Sequence, residues 1–296
     1  MQRKTNTTQK FGHALALAAA LFWSTLGILG KLTYAFGADP LTVISLRATV
    51  ATGITGAIVA VSGLGQFRIR YEDFTLFVVY GVIGVGLNYL GYFYALKLTT
   101  VATAITLLYT YPSLVVLFGL ILFHEPISRG KLCALVLTFF GIVFSAYSQS
   151  APGMGWDPRG LAFGLLAGVA NAVYTLVGKR AQTAYTPMTG LFYSFLFGSL
   201  ALLVFRFAVV GSTFRLNSTV LLLIVTIAIV PTLIGYGAYT YSLGYIEAGK
   251  ASITSSAEPV FAILLALLFL GEIPSSLQLF GAALIIMGVV ALQVKR

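Results

Sequence analysis

The chain has 296 residues, 58% of them hydrophobic and 9% charged, with a mean hydropathy of +0.95. An average soluble domain carries about 25% charged residues, so an ordinary soluble enzyme, a disordered tail and a disulfide scaffold are excluded and a polytopic membrane protein remains. The net charge of +10 comes from Lys and Arg in short loops between apolar runs, which points to membrane orientation rather than to nucleic acid.

A membrane helix needs about 20 apolar residues. In chain order such runs cover residues 12–34, 40–62, 74–96, 101–123, 129–148, 158–178, 187–209, 217–243, 249–270 and 275–294. Ten membrane helices are therefore expected, all-α, with antiparallel neighbours because the connections are short. Residues 1–10 (MQRKTNTTQK) are polar and read as disordered, within a cytoplasmic tail of residues 1–11. With the N-terminus inside, twelve Lys or Arg fall on the inner side: Arg3, Lys4, Lys10, Arg68, Arg70, Arg129, Lys131, Lys179, Arg180, Lys250, Lys295 and Arg296. Five fall outside: Lys31, Lys97, Arg159, Arg206 and Arg215. That bias places both termini in the cytoplasm. Trp156 and Tyr71 fall at predicted interfaces. Cys133 reads as a small core residue, and His13 and His124 fall at predicted helix ends. No metal-ligand spacing, P-loop or Ser/His/Asp set is present, so no metal, cofactor or enzymatic activity is expected.

The chain resembles itself. At an offset of 147, Tyr89, Tyr92, Tyr94 and Leu96 fall on Tyr236, Tyr239, Tyr241 and Leu243, and Pro112, Glu125, Ser128 and Gly141 fall on Pro259, Glu272, Ser275 and Gly288. At 148, Gly12, Gly30 and Lys31 fall on Gly160, Gly178 and Lys179. The unit holds five spans, and five is odd, so the second copy enters the membrane from the opposite side. The boundaries implied are a first repeat over 12–148, a periplasmic linker over 149–157 and a second repeat over 158–296. Inverted repeats are a feature of secondary transporters, which place the substrate at the midplane between the halves. Channels with inverted repeats also exist, so carrier and pore both stay open.

Two segments carry a resemblance. LTTVATAITLLYTYPSLVVLFGLILFHEPISRGKLCALVLTFFGIV has a small, threonine-rich helix start, a mid-helix proline, a terminal glutamate and a late glycine. AGKASITSSAEPVFAILLALLFLGEIPSSLQLFGAALIIMGVVAL repeats that order with the clearer LGE. Both resemble the EamA domain of the drug/metabolite transporter superfamily, as does DPLTVISLRATVA around Arg47. The first copy departs at His124-Glu125-Pro126, where the family more often has Gly-Glu. The resemblance covers about residues 12–294. It implies a basket-like ten-helix bundle in a prokaryotic inner membrane; many such relatives export amino acids or other small metabolites, and some import.

Ionisable groups inside a span are functional candidates by default. Arg47 and Glu258 qualify, at depths of roughly 10 Å and 14 Å from opposite faces of a core about 30 Å thick. The remaining gap of roughly 6 Å is within reach of an arginine if the helices are neighbours. A proton- or substrate-linked switch, a static ion pair and a glutamate bonded to a tyrosine are the alternatives. Pro112 and Pro259 mark helix breaks. Thr103, Thr106 and Thr110 share one face of the fourth span, and Ser252, Ser255, Ser256 and Glu258 form a stripe on the ninth. Such stripes line a wet pathway or bond helix to helix. Asn88, Tyr89, Tyr92, Tyr109, Tyr111, Tyr236 and Tyr239 offer a pocket for zwitterions with apolar or aromatic side chains, and Trp23 and Asn171, aligned across the repeat, approach the same cavity. Gly160, Gly164 and Gly168 read as a close-packing ladder, and Glu125 and Glu272 as structural caps.

The expectation is a secondary transporter exporting small metabolites such as neutral or aromatic amino acids by alternating access, with protons as a coupling ion. A passive facilitator or an uptake carrier for another small metabolite or drug-like compound is the rival. A lipid enzyme would need clustered His, Asp or Glu near one face, and a receptor would not need paired polar stripes. Expected partners are the substrate and the bilayer, and a monomer suffices.

Overall fold

A computed structural model of the chain describes residues 6–99, 101–147, 157–211, 216–270 and 273–291. Trp156, Glu272, Arg3, Lys4, Arg215, Lys295, Arg296 and the side chains of Lys31 and Thr103 lie outside the described residues. Every described element is a helix or a turn between helices. The helices group, among the described residues, into α1 (Thr7–Ala35), α2 (Pro40–Ser62), α3 (Tyr71–Leu98), α4 (Ala104–Phe123), α5 (Arg129–Tyr147), α6 (Pro158–Ala181), α7 (Pro187–Val209), α8 (Ser218–Tyr245), α9 (Ala248–Phe269) and α10 (Ser276–Ala291). Eight of these, all but α5 and α10, are long and apolar enough to cross a membrane. Large apolar side chains such as Ile121, Phe140, Leu222 and Phe269 face outward, as a lipid-embedded bundle requires.

Helix starts follow from local chemistry. Asp39, Asp157, Thr186 and Asn217 each accept a hydrogen bond from a backbone N–H of the following turn, at 2.9, 2.8, 3.2 and 2.7 Å. Proline follows the first three at once, where its missing N–H costs nothing. Pro40 and Pro187 are themselves 147 residues apart, so both repeats start their second helix alike.

The helices are interrupted in matched places. In α3 residues Val82–Leu87 form a π-helical segment, and in α8 residues Ala228–Tyr236 do. In α4 the helix breaks at Tyr109–Thr110, just before Pro112; in α9 it breaks at Ser256–Ala257, just before Pro259. Proline cannot donate to the carbonyl four residues back, which frees the Ser255 carbonyl inside α9. α1 breaks at Thr25, where Ser24 and Thr25 hydroxyls donate to the carbonyls of Leu21 and Phe22 at 2.6 and 2.7 Å.

The packing shows how the halves are related. A Cβ on Gly141 in α5 would lie 2.7 Å from the Gly281 carbonyl in α10, and one on Gly288 in α10 would lie 2.9 Å from the Ala134 carbonyl in α5. Gly141 maps to Gly288 and Ala134 to Gly281 at the same offset of 147, so the two contacts exchange under a two-fold rotation. Moving up α5 from Ala134 to Gly141 moves down α10 from Gly288 to Gly281. Equivalent helices are therefore antiparallel, and the repeats are inverted. Gly12 against Tyr245 and Ile246 at the end of α8 is mirrored by Gly160 against Leu98 and Thr99 at the end of α3. The small-residue ladder of α6 is close packing: Gly164 rests on Leu107 and Gly168 on the Leu107 carbonyl.

Several expectations need correction. The first helix begins at Asn6, so residues 6–10 are helical, and His13 lies two turns inside the helix, where its Nδ1 pairs with Thr254 Oγ1 at 2.8 Å. Polar residues extend a helix beyond its apolar run, which the run alone does not register. Cys133 is exposed, because it turns away from the helices that α5 packs against. Arg206, placed at a helix end by its position in the sequence, does lie in the last turn of α7, buried and donating to Thr42 Oγ1 at 3.1 Å and to the Gly211 carbonyl at 2.7 Å.

Candidate functional site

One cavity opens where α1, α2, α3, α4, α6, α8 and α9 converge. Its wall holds ten of the residues singled out from the sequence: Trp23, Arg47, Asn88, Tyr89, Tyr92, Tyr109, Tyr111, Asn171, Tyr236 and Glu258. Leu26, Phe93 and Leu108 complete it. Tyr111 is the repeat counterpart of Glu258 at offset 147. Leu26, Phe93 and Leu108 had no signal of their own.

The interrupted helices build this wall. Asn88 and Tyr89 follow directly on the π segment of α3, and Tyr236 ends that of α8. A π turn adds a residue and swings the following side chains to a new face. Tyr89 and Tyr236 meet edge to face with centroids 5.7 Å apart. Trp23 packs on Tyr236 at 5.1 Å, and Tyr236 donates to Asn88 Oδ1 at 3.4 Å. Asn88 in turn donates to the Ala167 carbonyl at 3.3 Å.

The two charged side chains sit in different settings. Arg47 is 1% exposed, with its guanidinium carbon 3.6 Å above the Tyr89 ring and 5.1 Å from that of Phe93. This is a desolvated cation–π arrangement. Glu258, the first residue after the α9 break, accepts a hydrogen bond from the Tyr109 hydroxyl at 2.7 Å. Tyr109 also lies 3.4 Å from the Ser255 carbonyl that Pro259 frees. Among the described residues no ion pair joins Arg47 to Glu258. Depth along the helices brought them to within roughly 6 Å, but each turns to an aromatic partner instead of to the other.

Three residues stand behind the wall rather than in it. Tyr239 packs on Trp23 at 5.1 Å and pairs with Thr175 Oγ1 at 3.0 Å. Ser255 pairs through its hydroxyl with Tyr111 Oη at 2.6 Å. Thr106 is half-buried and does not reach the cavity. The wet pathway between facing polar stripes is not what forms. Thr110 donates to the Leu107 carbonyl at 2.8 Å and faces Gly168, while Ser252, Ser255 and Ser256 donate back into their own helix at 3.0–3.1 Å. The break in α4 is the reason: it turns Tyr109, not the threonine face, toward the cavity. Pro112 and Pro259 stand at the restart of their helices.

A second polar cluster lies at the start of α9. The buried Glu125, just past α4, accepts from Ala248 N at 2.7 Å and from Gly249 N at 3.2 Å, capping α9 from another helix. Lys131, 2% exposed, lies 3.5 Å from Glu125 and 2.8 Å from Glu247, which also pairs with Lys250 at 3.2 Å. Burial pushes the Glu247 carboxyl up, but the Lys131 and Lys250 ammoniums outweigh it and hold it below the usual carboxylate range. His124 makes the turn between α4 and Glu125 in the left-handed region, at φ 52°.

Residues 10–147 and 158–293 each match the EamA-like transporter family. An uncharacterized transporter of Clostridium kluyveri is 27% identical over 292 residues, covering 94% of this chain and 92% of its own. A protein of Ancylobacter novellus named aromatic amino acid exporter YddG is 27% identical over 285 residues, covering 93% and 94%. A solved crystal structure superposes with a TM-score of 0.81 at 22% identity, over 95% of this chain and 96% of that one, and shows the fold. With two inverted copies of the repeat and the family match spanning both, the chain belongs to the EamA-like transporter family of multi-pass membrane proteins.

Proposed function

We propose that this transporter is a secondary carrier of the prokaryotic inner membrane that exports neutral or aromatic amino acids by alternating access. The observation that carries the reading is the cavity between the inverted halves. It joins a wall of tyrosine and tryptophan rings to one buried cation and one buried carboxylate, Arg47 and Glu258. Rings suit an apolar or aromatic side chain, and the charged pair suits a zwitterionic head. The name of the Ancylobacter relative supports the same substrate class. Glu258 is the group that exchanges a proton in this account, and both termini face the cytoplasm, following the basic-residue bias.

The test is uptake into proteoliposomes of labelled neutral and aromatic amino acids, with and without an imposed pH gradient. Accumulation enhanced by the gradient supports a proton-coupled exporter. Equilibration that ignores the gradient supports a facilitator. No uptake of any amino acid by folded protein rejects the substrate class.

A further inference from the structure

Two donor side chains on the cavity wall have no acceptors. Among the described residues, Arg47 Nε and Nη1 and Trp23 Nε1 are buried without a hydrogen-bond partner. Both residues line the cavity beside Tyr89. A buried polar group left unpaired costs roughly 1–3 kcal/mol, and a charged one more. Native proteins pair nearly all such groups, so three unpaired donor atoms on one cavity wall mark a missing acceptor. Among the described residues the one carboxylate on the cavity wall, Glu258, is engaged by Tyr109.

We infer that Arg47, Trp23 and Tyr89 form a carboxylate-binding subsite, filled by the carboxylate of the transported molecule. The ring of Tyr89 beneath the guanidinium, 3.6 Å from its central carbon, holds the cation by its face and leaves the N–H edge free for an anion. A guanidinium pairs well with the flat carboxylate group. The site offers a single cation, and Glu258 on the same wall opposes a second negative charge, so a monocarboxylate fits and a phosphate dianion does not. The inference rests on the transport reading for the carboxylate's being a substrate's. It also deepens that reading: Arg47 recognises the acid group, which leaves Glu258 to face an ammonium when the substrate carries one.

The experiment is a thermal-shift and competition assay on the purified full chain in detergent. The probes are phenylalanine, phenylacetate, phenylethylamine and phenylalaninamide, which share a ring and differ in the acid and amine. Phenylalanine and phenylacetate are expected to stabilise the protein, and the two compounds without a carboxylate to bind about tenfold more weakly or worse, since one lost charge-assisted pair is worth at least that factor. Arg47→Gln should lose the preference for the acids, and Arg47→Lys should keep part of it. Phenylethylamine or phenylalaninamide binding as tightly as the acids overturns the subsite and leaves the transporter reading intact. So does an Arg47→Gln variant that binds the acids as the unaltered chain does, and so does failure of every acid to bind. Binding of phenylacetate without phenylalanine upholds the subsite and rejects amino acids as the substrate class. Comparing the four probes on the unaltered chain keeps the test decisive if Arg47→Gln does not fold.

Discussion

Tyr89 and Tyr236, 147 residues apart and equivalent in the two repeats, meet edge to face at 5.7 Å in the middle of the bundle. A contact between a residue and its own repeat counterpart lies on the axis that relates the halves. The cavity is built around that contact, with Arg47 over one ring and Trp23 against the other. The cavity itself is not symmetric. Arg47 comes from the first half and Glu258 from the second, and the counterpart of Glu258 at offset 147 is Tyr111, an uncharged residue.

Glu258→Gln keeps the size of the side chain and removes its titratable proton. In the proposed coupling, exchange of unlabelled for labelled substrate persists while accumulation driven by a pH gradient disappears. Proteoliposome uptake with and without the gradient checks this, and undiminished uphill accumulation contradicts the coupling role.

Gly91 and Gly53 predict opposite responses to an added methyl. A Cβ on Gly91 would stand 2.7 Å from the Phe163 carbonyl and 2.9 Å from Ala167 N, both backbone atoms that cannot yield cheaply. Gly91→Ala is expected to destabilise the protein by about 1–3 kcal/mol, the range for overpacking. Gly53 has nothing within 4 Å of its Cβ position. Gly53→Ala is expected to be neutral or to stabilise by up to about 1 kcal/mol through helix propensity. Thermal unfolding in detergent reads both.

Glu125→Ala strips the acceptor from Ala248 N and Gly249 N and leaves Lys131 buried beside one carboxylate instead of two. Removing one member of a buried charged set costs about 3–5 kcal/mol. Expression and thermal stability should both fall, while Glu125→Gln, which still accepts one backbone bond, should fall less.

Glu247 supplies the pH dependence. Its carboxyl is held below the usual range in the folded chain, so its contribution is complete above the unfolded value of about 4.3 and fades as the pH drops through its lower folded value. Melting temperature should decline below about pH 4 in part for this reason. Glu247→Gln should lower stability at pH 7 and flatten that part of the acid limb. A variant with the same acid profile as the unaltered chain would show that Lys131 and Lys250 do not hold Glu247.

Much of the fold was legible because the apolar runs and the repeat are long-range, redundant signals. The seventh span, 187–209, coincides with Pro187–Val209, since Thr186 and Pro187 mark its start chemically. The first helix ran longer than its apolar run because helix formation continues into polar residues beyond it. The π segments of α3 and α8 were not legible: they arise from how helices seat on one another, as where Gly84 lies on Tyr174 and Gly235 on Trp23. The same gap explains the pairing of Arg47. Sequence gives depth along a helix but not which way a side chain turns, so Arg47 and Glu258 came out within roughly 6 Å in depth and the cation–π seat on Tyr89 stayed hidden. Thr106, Tyr239 and Ser255 missed the cavity wall for that reason too.

The central claim is that two inverted halves carry a small solute through one cavity between them. Counterflow tests it most directly. Proteoliposomes loaded with unlabelled phenylalanine are diluted into a trace of the labelled compound. A carrier with one alternating site gives a transient internal excess of label that then decays. A monotonic approach to equilibrium without overshoot, from folded protein that binds phenylalanine, would contradict alternating access and mark the cavity as a passive pore.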